Sequence, residues 1–259
     1  TLEDPLADFD RILRGAGLNK LEVPLSLLRE LPERVRGFNW DLSLVVWMGR
    51  RLIDVDSGNS ESRLFGAAVD IGTSKIVVHL VDLSTGETIA VESAPNPQAA
   101  YGADIISRLH KAITDQGAAE ALRRLVVQAV DSLIARASAR GGVKPEEIYE
   151  VVVVGNTVMH HLFLGLDSKY LGYSPYVPVV RAGLWFTAEE VGLRSVNRRA
   201  VVYLLPNIAG YVGADAVADA LAVDFEDCEA PCLLVDIGTN TEILLNTGRE
   251  ILAASTPAG

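Results

Sequence analysis

Cysteine is scarce in this chain of 259 residues, where only Cys228 and Cys232 are present. Two thiols are too few for a disulfide framework, an iron–sulfur cluster or a four-cysteine zinc site. Their C-E-A-P-C spacing is expected to leave two ordinary half-buried thiols, as suits a reducing compartment. Long apolar runs are lacking too. Residues 42–48 and 151–154 fall far short of the ~20 residues that a membrane span needs, and no basic-then-apolar leader opens the chain. A cytoplasmic setting without a membrane partner is therefore expected. Positive charge is in deficit, with 23 Lys and Arg against 34 Asp and Glu and a net charge of −11. A surface of that sign repels a phosphate backbone, so nucleic acid is not an expected partner. Any anionic ligand has to be cradled locally, by backbone N–H groups or helix ends.

What is present is a globular composition, 49% apolar and 22% charged, ample for a sizeable core in one large or two modest domains. Residues 5–13 read as a short amphipathic helix stopped near Gly15 and Gly17. A second helix starts at Pro24, with Leu25, Leu28 and Leu31 at helical spacing, until Pro32 interrupts it. Residues 42–47 and 51–55 flank Met48-Gly49-Arg50 as a β-hairpin, and the polar run 57–62 reads as a linker. These pieces form a small α+β domain over 1–63.

Strand candidates at 64–70, 75–82 and 88–92 are joined by short turns, which fits antiparallel neighbours. Helical periodicity follows at 103–113 and 118–140. In the latter Leu122, Leu125, Val126, Ala129, Val130, Leu133, Ile134 and Ala137 form one apolar stripe, which should pack on the sheet. A β-branched run at 148–154 is expected to be a strand covered on both faces. Next come a helix at 157–164, a Tyr- and Pro-rich surface loop at 170–178, a strand at 201–205 and a helix at 213–223. This order is that of the ribonuclease-H-like half of an actin-type ATPase. The expected fold class is α/β, with one such half over 64–231 and the truncated start of a second over 232–259. Because the chain opens on Thr1 and stops at Gly259 soon after a strand-like run, a piece of a longer polypeptide is expected.

The chemistry resides in an internal repeat. Val69-Asp70-Ile71-Gly72-Thr73 recurs letter for letter as Val235-Asp236-Ile237-Gly238-Thr239, each copy between an incoming and an outgoing apolar strand. The same letters serve a plain β-turn, but two such identities in matching settings favour a duplicated hairpin. Glycine lets the backbone approach a phosphate, and the following N–H groups and hydroxyls donate to its oxygens. The candidate phosphate donors are thus Gly72, Thr73 and Ser74 in the first copy and Gly238, Thr239, Asn240 and Thr241 in the second. Asp70 and Asp236, at the strand ends, are candidate Mg²⁺ ligands acting through water, since Mg²⁺ takes few protein carboxylates. Lys75 is either a cation for the phosphates or a solvated strand lysine.

Through these two hairpins the chain resembles the acetate and sugar kinase, heat-shock chaperone and actin superfamily. More narrowly, it resembles the ATPase domain of reductive activators of corrinoid proteins. The resemblance is carried by Asn96-Pro97-Gln98, Tyr101-Gly102-Ala103-Asp104, V-G-N-T-V-M-H-H at 154–161, L-P-N-I-A-G at 205–210 and Gly213-Ala214-Asp215. It runs from about residue 64 to the end, and more loosely through the preceding small domain. It implies an enzyme that uses ATP to help return an inactive Co(II) corrinoid to Co(I). The electron would come from an iron–sulfur domain, carrying a 2Fe-2S cluster, on the same polypeptide. The implied partner is a corrinoid protein or corrinoid-dependent methyltransferase, and homodimerisation stays open. No cysteine-rich segment lies within these residues, so the ATP-binding part is what the resemblance assigns here. The adenosine-binding glycines implied for the second half are missing, so poor nucleotide binding by this piece alone is expected. Two other readings are a small-molecule kinase of the same superfamily and a nucleotide-free scaffold for partner binding.

Catalysis is expected to involve Asp215 and Asp236. Asp215 opens a helix, where a carboxylate serves either as a cap or to orient an attacking water. His160 and His161 lack the i, i+4 spacing of zinc helices, which favours a structural or partner-facing role. Tyr170, Tyr173 and Tyr176 either form a docking surface or pin their own loop.

Overall fold

The computed structural model describes residues 5–58 and 63–257. In the first unit, α1 (Asp8–Gly15) and α2 (Leu25–Gly37) pack on an antiparallel hairpin of β1 (Leu42–Trp47) and β2 (Arg51–Ser57). Helix α2 continues through Pro32, where the sequence predicts an interruption. Its buried face is Leu27, Leu31 and Val35, whereas Leu25 is 61% exposed. Burying each such side chain gains roughly 1.5–3 kcal/mol, enough together to offset the ~3 kcal/mol cost of an interior proline. Of the expected linker, Ser57 closes β2, and residues 59–62 lie outside the described residues.

The second unit is a six-stranded mixed sheet of β3 (Phe65–Ile71), β4 (Lys75–Asp82), β5 (Thr88–Pro95), β6 (Ile148–Gly155), β7 (Leu184–Thr187) and β8 (Val201–Leu204), in the order β5-β4-β3-β6-β8-β7. Strands β3, β6 and β8 run parallel and the other pairings are antiparallel. This is the expected ribonuclease-H-like α/β fold, with β7 as an edge strand that the sequence reading passed over. Helices α3 (Ile105–Thr114), α4 (Gln116–Gly141) and α5 (Thr157–Leu164) share one core with the sheet. The α4 stripe buries Leu122, Val126, Val130, Leu133, Ile134 and Ala137 there. A short helix, α6 (Ala188–Val191), follows β7.

The second face of the sheet is only partly covered. Helix α7 (Ala214–Ala222) lies over it, and Ala218 and Leu221 border an apolar groove with Ala68, Val77, His79 and Val152. Accordingly β6 buries Ile148, Val151 and Val153 but leaves Val152 and Val154 half-buried, which corrects the expectation of a strand enclosed on both sides.

The N-terminal hairpin covers the other part of that face. Trp47 packs against Trp185 and Tyr203, with ring centroids at 5.9 and 6.5 Å, and its Nε1 donates to Glu150 at 2.7 Å. Beside it Arg199, 5% exposed, donates to the Ile53 carbonyl at 2.9 Å, to Asp54 at 2.8 Å and to Glu30 at 3.1 Å. Asp54 also accepts from Asn197 at 2.8 Å and pairs with Arg34. Burial alone would raise the Asp54 carboxyl, but Arg199, Asn197 and Arg34 outweigh it and hold it below its ordinary value.

Strands β9 (Cys232–Ile237), β10 (Asn240–Asn246) and β11 (Ile251–Pro257) form a separate three-stranded antiparallel sheet. Just ahead of it Cys228 and Cys232 are joined in a disulfide, correcting the expected pair of free thiols. The intervening loop folds back until their Cα atoms are 6.3 Å apart, within disulfide reach. Among the described residues no helix is long and apolar enough to cross a membrane.

Candidate functional site

The two copies of the repeat meet at their tips. The β3–β4 turn carries Gly72-Thr73-Ser74 and the β9–β10 turn Gly238-Thr239, and the Ser74 and Thr239 hydroxyls lie 3.1 Å apart. Gly72 has no room for a side chain, since a Cβ there would sit 2.7 Å from the Lys75 carbonyl. Both turns, the start of α5 and one side of α7 line a cavity of about 410 Å³.

Of the residues singled out in the sequence, Asp70, Gly72, Thr73, Ser74, Lys75, Asp215, Asp236, Gly238, Thr239 and Asn240 all line that cavity. Thr241 does not. It pairs with Ile237, whereas Asp236 pairs with Glu242, and alternation along a strand puts these two pairs on opposite faces. Thr73 is buried, and its Oγ1 accepts from Asn156 Nδ2 at 3.4 Å, which leaves the hydroxyl hydrogen to donate elsewhere. Asn156 also caps α5, accepting from Met159 N–H at 3.0 Å. The cap position of α7 is Gly213, not Asp215. A Cβ on Gly213 would be 2.4 Å from the Asn156 Cα, so glycine there lets α7 seat against the β6–α5 turn. Asp215 stands in the first turn of α7 and accepts from Ala216 N–H at 2.9 Å.

Two further carboxylates join the cavity, Asp219 and Glu242. Asp219 follows Asp215 by four residues, the spacing that brings two side chains to one helix face. Glu242 stands directly across the hairpin from Asp236, an unfavourable like-charge pairing. Lys75 is the cation among the lining residues.

Burial, with this crowding of like charge added to it, shifts the carboxyls upward. Burial pushes Asp215 to about 7, against the Ala216 N–H and with help from Glu242, Asp70 and Asp219. Burial and the charge and hydrogen bond of Asp236 push Asp219 to about 6. Asp70 rises through burial and Asp236. Glu242 rises through burial, with Asp236 adding to it and Ser255 opposing it. An all-oxygen donor set under mutual repulsion suits a hard divalent cation. Among the described residues no group of three or more His, Cys, Asp or Glu side chains is placed to hold a metal ion by itself.

The Asp215 shift has a signed consequence. Between the ordinary aspartate value of ~3.9 and about 7, the folded state keeps a proton that the unfolded chain has released, so stability falls as pH rises through that window. Asp215→Asn is expected to flatten the dependence and to melt higher than wild type at pH 8 without Mg²⁺. The expected gain is up to about 4 kcal/mol, or roughly 10 °C. Melting curves from pH 5 to 8 decide it, and unchanged curves would contradict the shift.

Of the two histidines, His161 is tied into the scaffold by hydrogen bonds. His161 is fully buried, donating from Nδ1 to the Thr157 carbonyl at 2.8 Å and accepting from Val179 N–H at Nε2 at 3.0 Å. His160 is 4% exposed, and burial followed by the His161 charge pushes it down to about 4. Tyr170 and Tyr173 are exposed, while the Tyr176 ring meets Tyr211 edge-on at 5.3 Å.

Two family models match in tandem, the RACo linker region over residues 1–62 and the RACo middle region over residues 65–228. The chain is 28% identical over its whole length to the corrinoid activation enzyme RamQ of Eubacterium limosum. Over 76% of its length it is 28% identical to a Co(II) methylated amine-specific corrinoid protein reductase of Methanosarcina barkeri. A solved reductive activator for corrinoid, iron-sulfur protein superposes on 100% of the chain with a TM-score of 0.90 and 34% identity. The chain spans 44%, 36% and 42% of these three proteins, less than half of each.

Proposed function

Since the chain belongs to the RACo middle-region family, with the RACo linker region ahead of it, we propose that it supplies the nucleotide-binding part of a corrinoid-activating enzyme. The overall reaction returns Co(II) to Co(I) with one electron, coupled to ATP hydrolysis to ADP and phosphate. The observation that carries this reading is the tip-to-tip meeting of two V-D-I-G-T turns over a cavity rimmed by carboxylates. In it Gly72, Thr73 and Ser74 hold the phosphates from one side and Gly238, Thr239 and Asn240 from the other. Asp70 and Asp236 would hold Mg²⁺ through water, and the ion would supply charge neutralisation at the phosphates. Asp215, poised near neutral pH, takes a proton from the attacking water at its carboxylate. Lys75 balances charge in the cavity.

In the same proposal residues 1–63, 64–231 and 232–259 are three functional units, and the hydrogen-bonded docking of the first on the second makes those two move together. The 2Fe-2S electron donor belongs to the remainder of a longer cytoplasmic polypeptide. The test is made on the full-length polypeptide with a reduced electron donor and a Co(II) corrinoid protein under anaerobic conditions. Co(I) absorbance is expected to grow only when ATP and Mg²⁺ are present. Equal growth without ATP would overturn the reading.

A further inference from the structure

The first phosphate turn is braced from behind by a residue that does not line the cavity. Asn96, 1% exposed, follows β5 and caps the 3₁₀ turn Pro97–Tyr101, its Oδ1 accepting from Gln98 N–H at 3.0 Å. The rest of the residue reaches back to the turn between β3 and β4. Its Nδ2 donates to the Gly72 carbonyl at 2.9 Å, and its backbone N–H donates to the Ser74 carbonyl at 2.9 Å. One side chain and one amide therefore grip the turn at both ends.

The grip has a directional consequence. In a trans peptide the C=O and the following N–H point in opposite directions. Fixing the Gly72 carbonyl on the Asn96 side turns the Thr73 N–H to the opposite side, where Thr73 and Ser74 line the cavity. Asn96 is in turn held by the core. Gln98, fully buried, lies 3.4 Å from its Nδ2 and donates from Nε2 to the Leu122 carbonyl of α4 at 2.9 Å. The Met159 sulfur of α5 is 3.8 Å from Asn96 Nδ2. A polar chain thus runs from the long core helix to the turn. An amide dipole aimed in advance reorganises less when an anion arrives, which is where such donors gain their strength.

We propose that Asn96 is a positioning residue for the nucleotide phosphates, aiming the Thr73 N–H into the cavity by holding the Gly72 carbonyl. The proposal rests on the nucleotide reading above. A residue that merely capped the 3₁₀ turn would look the same in the fold, so the two roles have to be separated. Asn96→Asp keeps the cap acceptor but sets an oxygen against the Gly72 carbonyl. Asn96→Ser also keeps a cap but is too short to reach that carbonyl.

Both variants are made in the full-length polypeptide, and ATP binding with Mg²⁺ is titrated beside thermal melting. The expected result is a roughly tenfold rise in the dissociation constant for ATP in each variant, with Asn96→Ser melting within about 2 °C of wild type. If Asn96→Asp does not fold, Asn96→Ser decides alone. Wild-type affinity in a folded variant would overturn the inference, as would a loss of affinity that only tracks a loss of folded protein. If the wild-type polypeptide itself bound no ATP, the nucleotide reading would fall first, and this inference with it.

Discussion

Asp236→Ala in the full-length polypeptide is expected to weaken Mg²⁺-dependent ATP binding about 100-fold or more, and Asp70→Ala to do the same. The direction of the accompanying stability change sets this loss apart from damage to the fold. Asp236 stands across the hairpin from Glu242 and raises the carboxyls of Asp70, Asp219 and Glu242. Removing it relieves repulsion, so the nucleotide-free variant should melt at or above the wild-type temperature. A factor of 100 corresponds to about 2.7 kcal/mol, an ordinary magnitude for one preorganised electrostatic contact. Calorimetric titrations with and without Mg²⁺ check it. Undiminished binding by both variants would remove these carboxylates from the site.

Arg199→Ala carries the largest expected effect on stability, a loss of about 3–5 kcal/mol, because it strands the buried Asp54 carboxylate without its main partner. The same change empties the hydrogen bond to the Ile53 carbonyl and the pair with Glu30. The double variant Asp54→Leu with Arg199→Met removes both charges and should recover most of the loss, as buried ion pairs often do when replaced by apolar side chains. Urea unfolding of the wild type, Asp54→Leu, Arg199→Met and the double variant gives the coupling directly. Additive losses would mean that the pair does not join the two units.

The features legible in the sequence are those written in local or repeated patterns. The V-D-I-G-T pair, the alternation of β3 to β5 and the α4 stripe each signal their structure within a few residues. Most of the cavity follows from them, since ten of the candidate residues in the sequence line it. Asp219 and Glu242 carry a fainter signal, one in its four-residue offset from Asp215 and the other in its place in the second hairpin. Passage of α2 through Pro32 depended on what Leu31 and Val35 would bury, which is a tertiary fact. The Cys228–Cys232 bond depended on how a loop folds back. Asp54, Asn197 and Arg199 carry no local mark, because their partnership exists only once distant segments are packed.

That distance bears on how the protein is made. Asp54 and Arg199 are separated by 145 residues. At the usual pace of synthesis, ~5–20 residues per second, the N-terminal hairpin leaves the ribosome roughly 7–30 s before its docking arginine exists. During that wait Trp47 faces water or whatever nascent segment lies nearest, and the Asp54 carboxylate has Arg34 of its own unit but not yet Arg199 or Asn197. The order of appearance therefore makes the early-made hairpin the part most in need of shelter, and completion of β8 the event that ends its exposure.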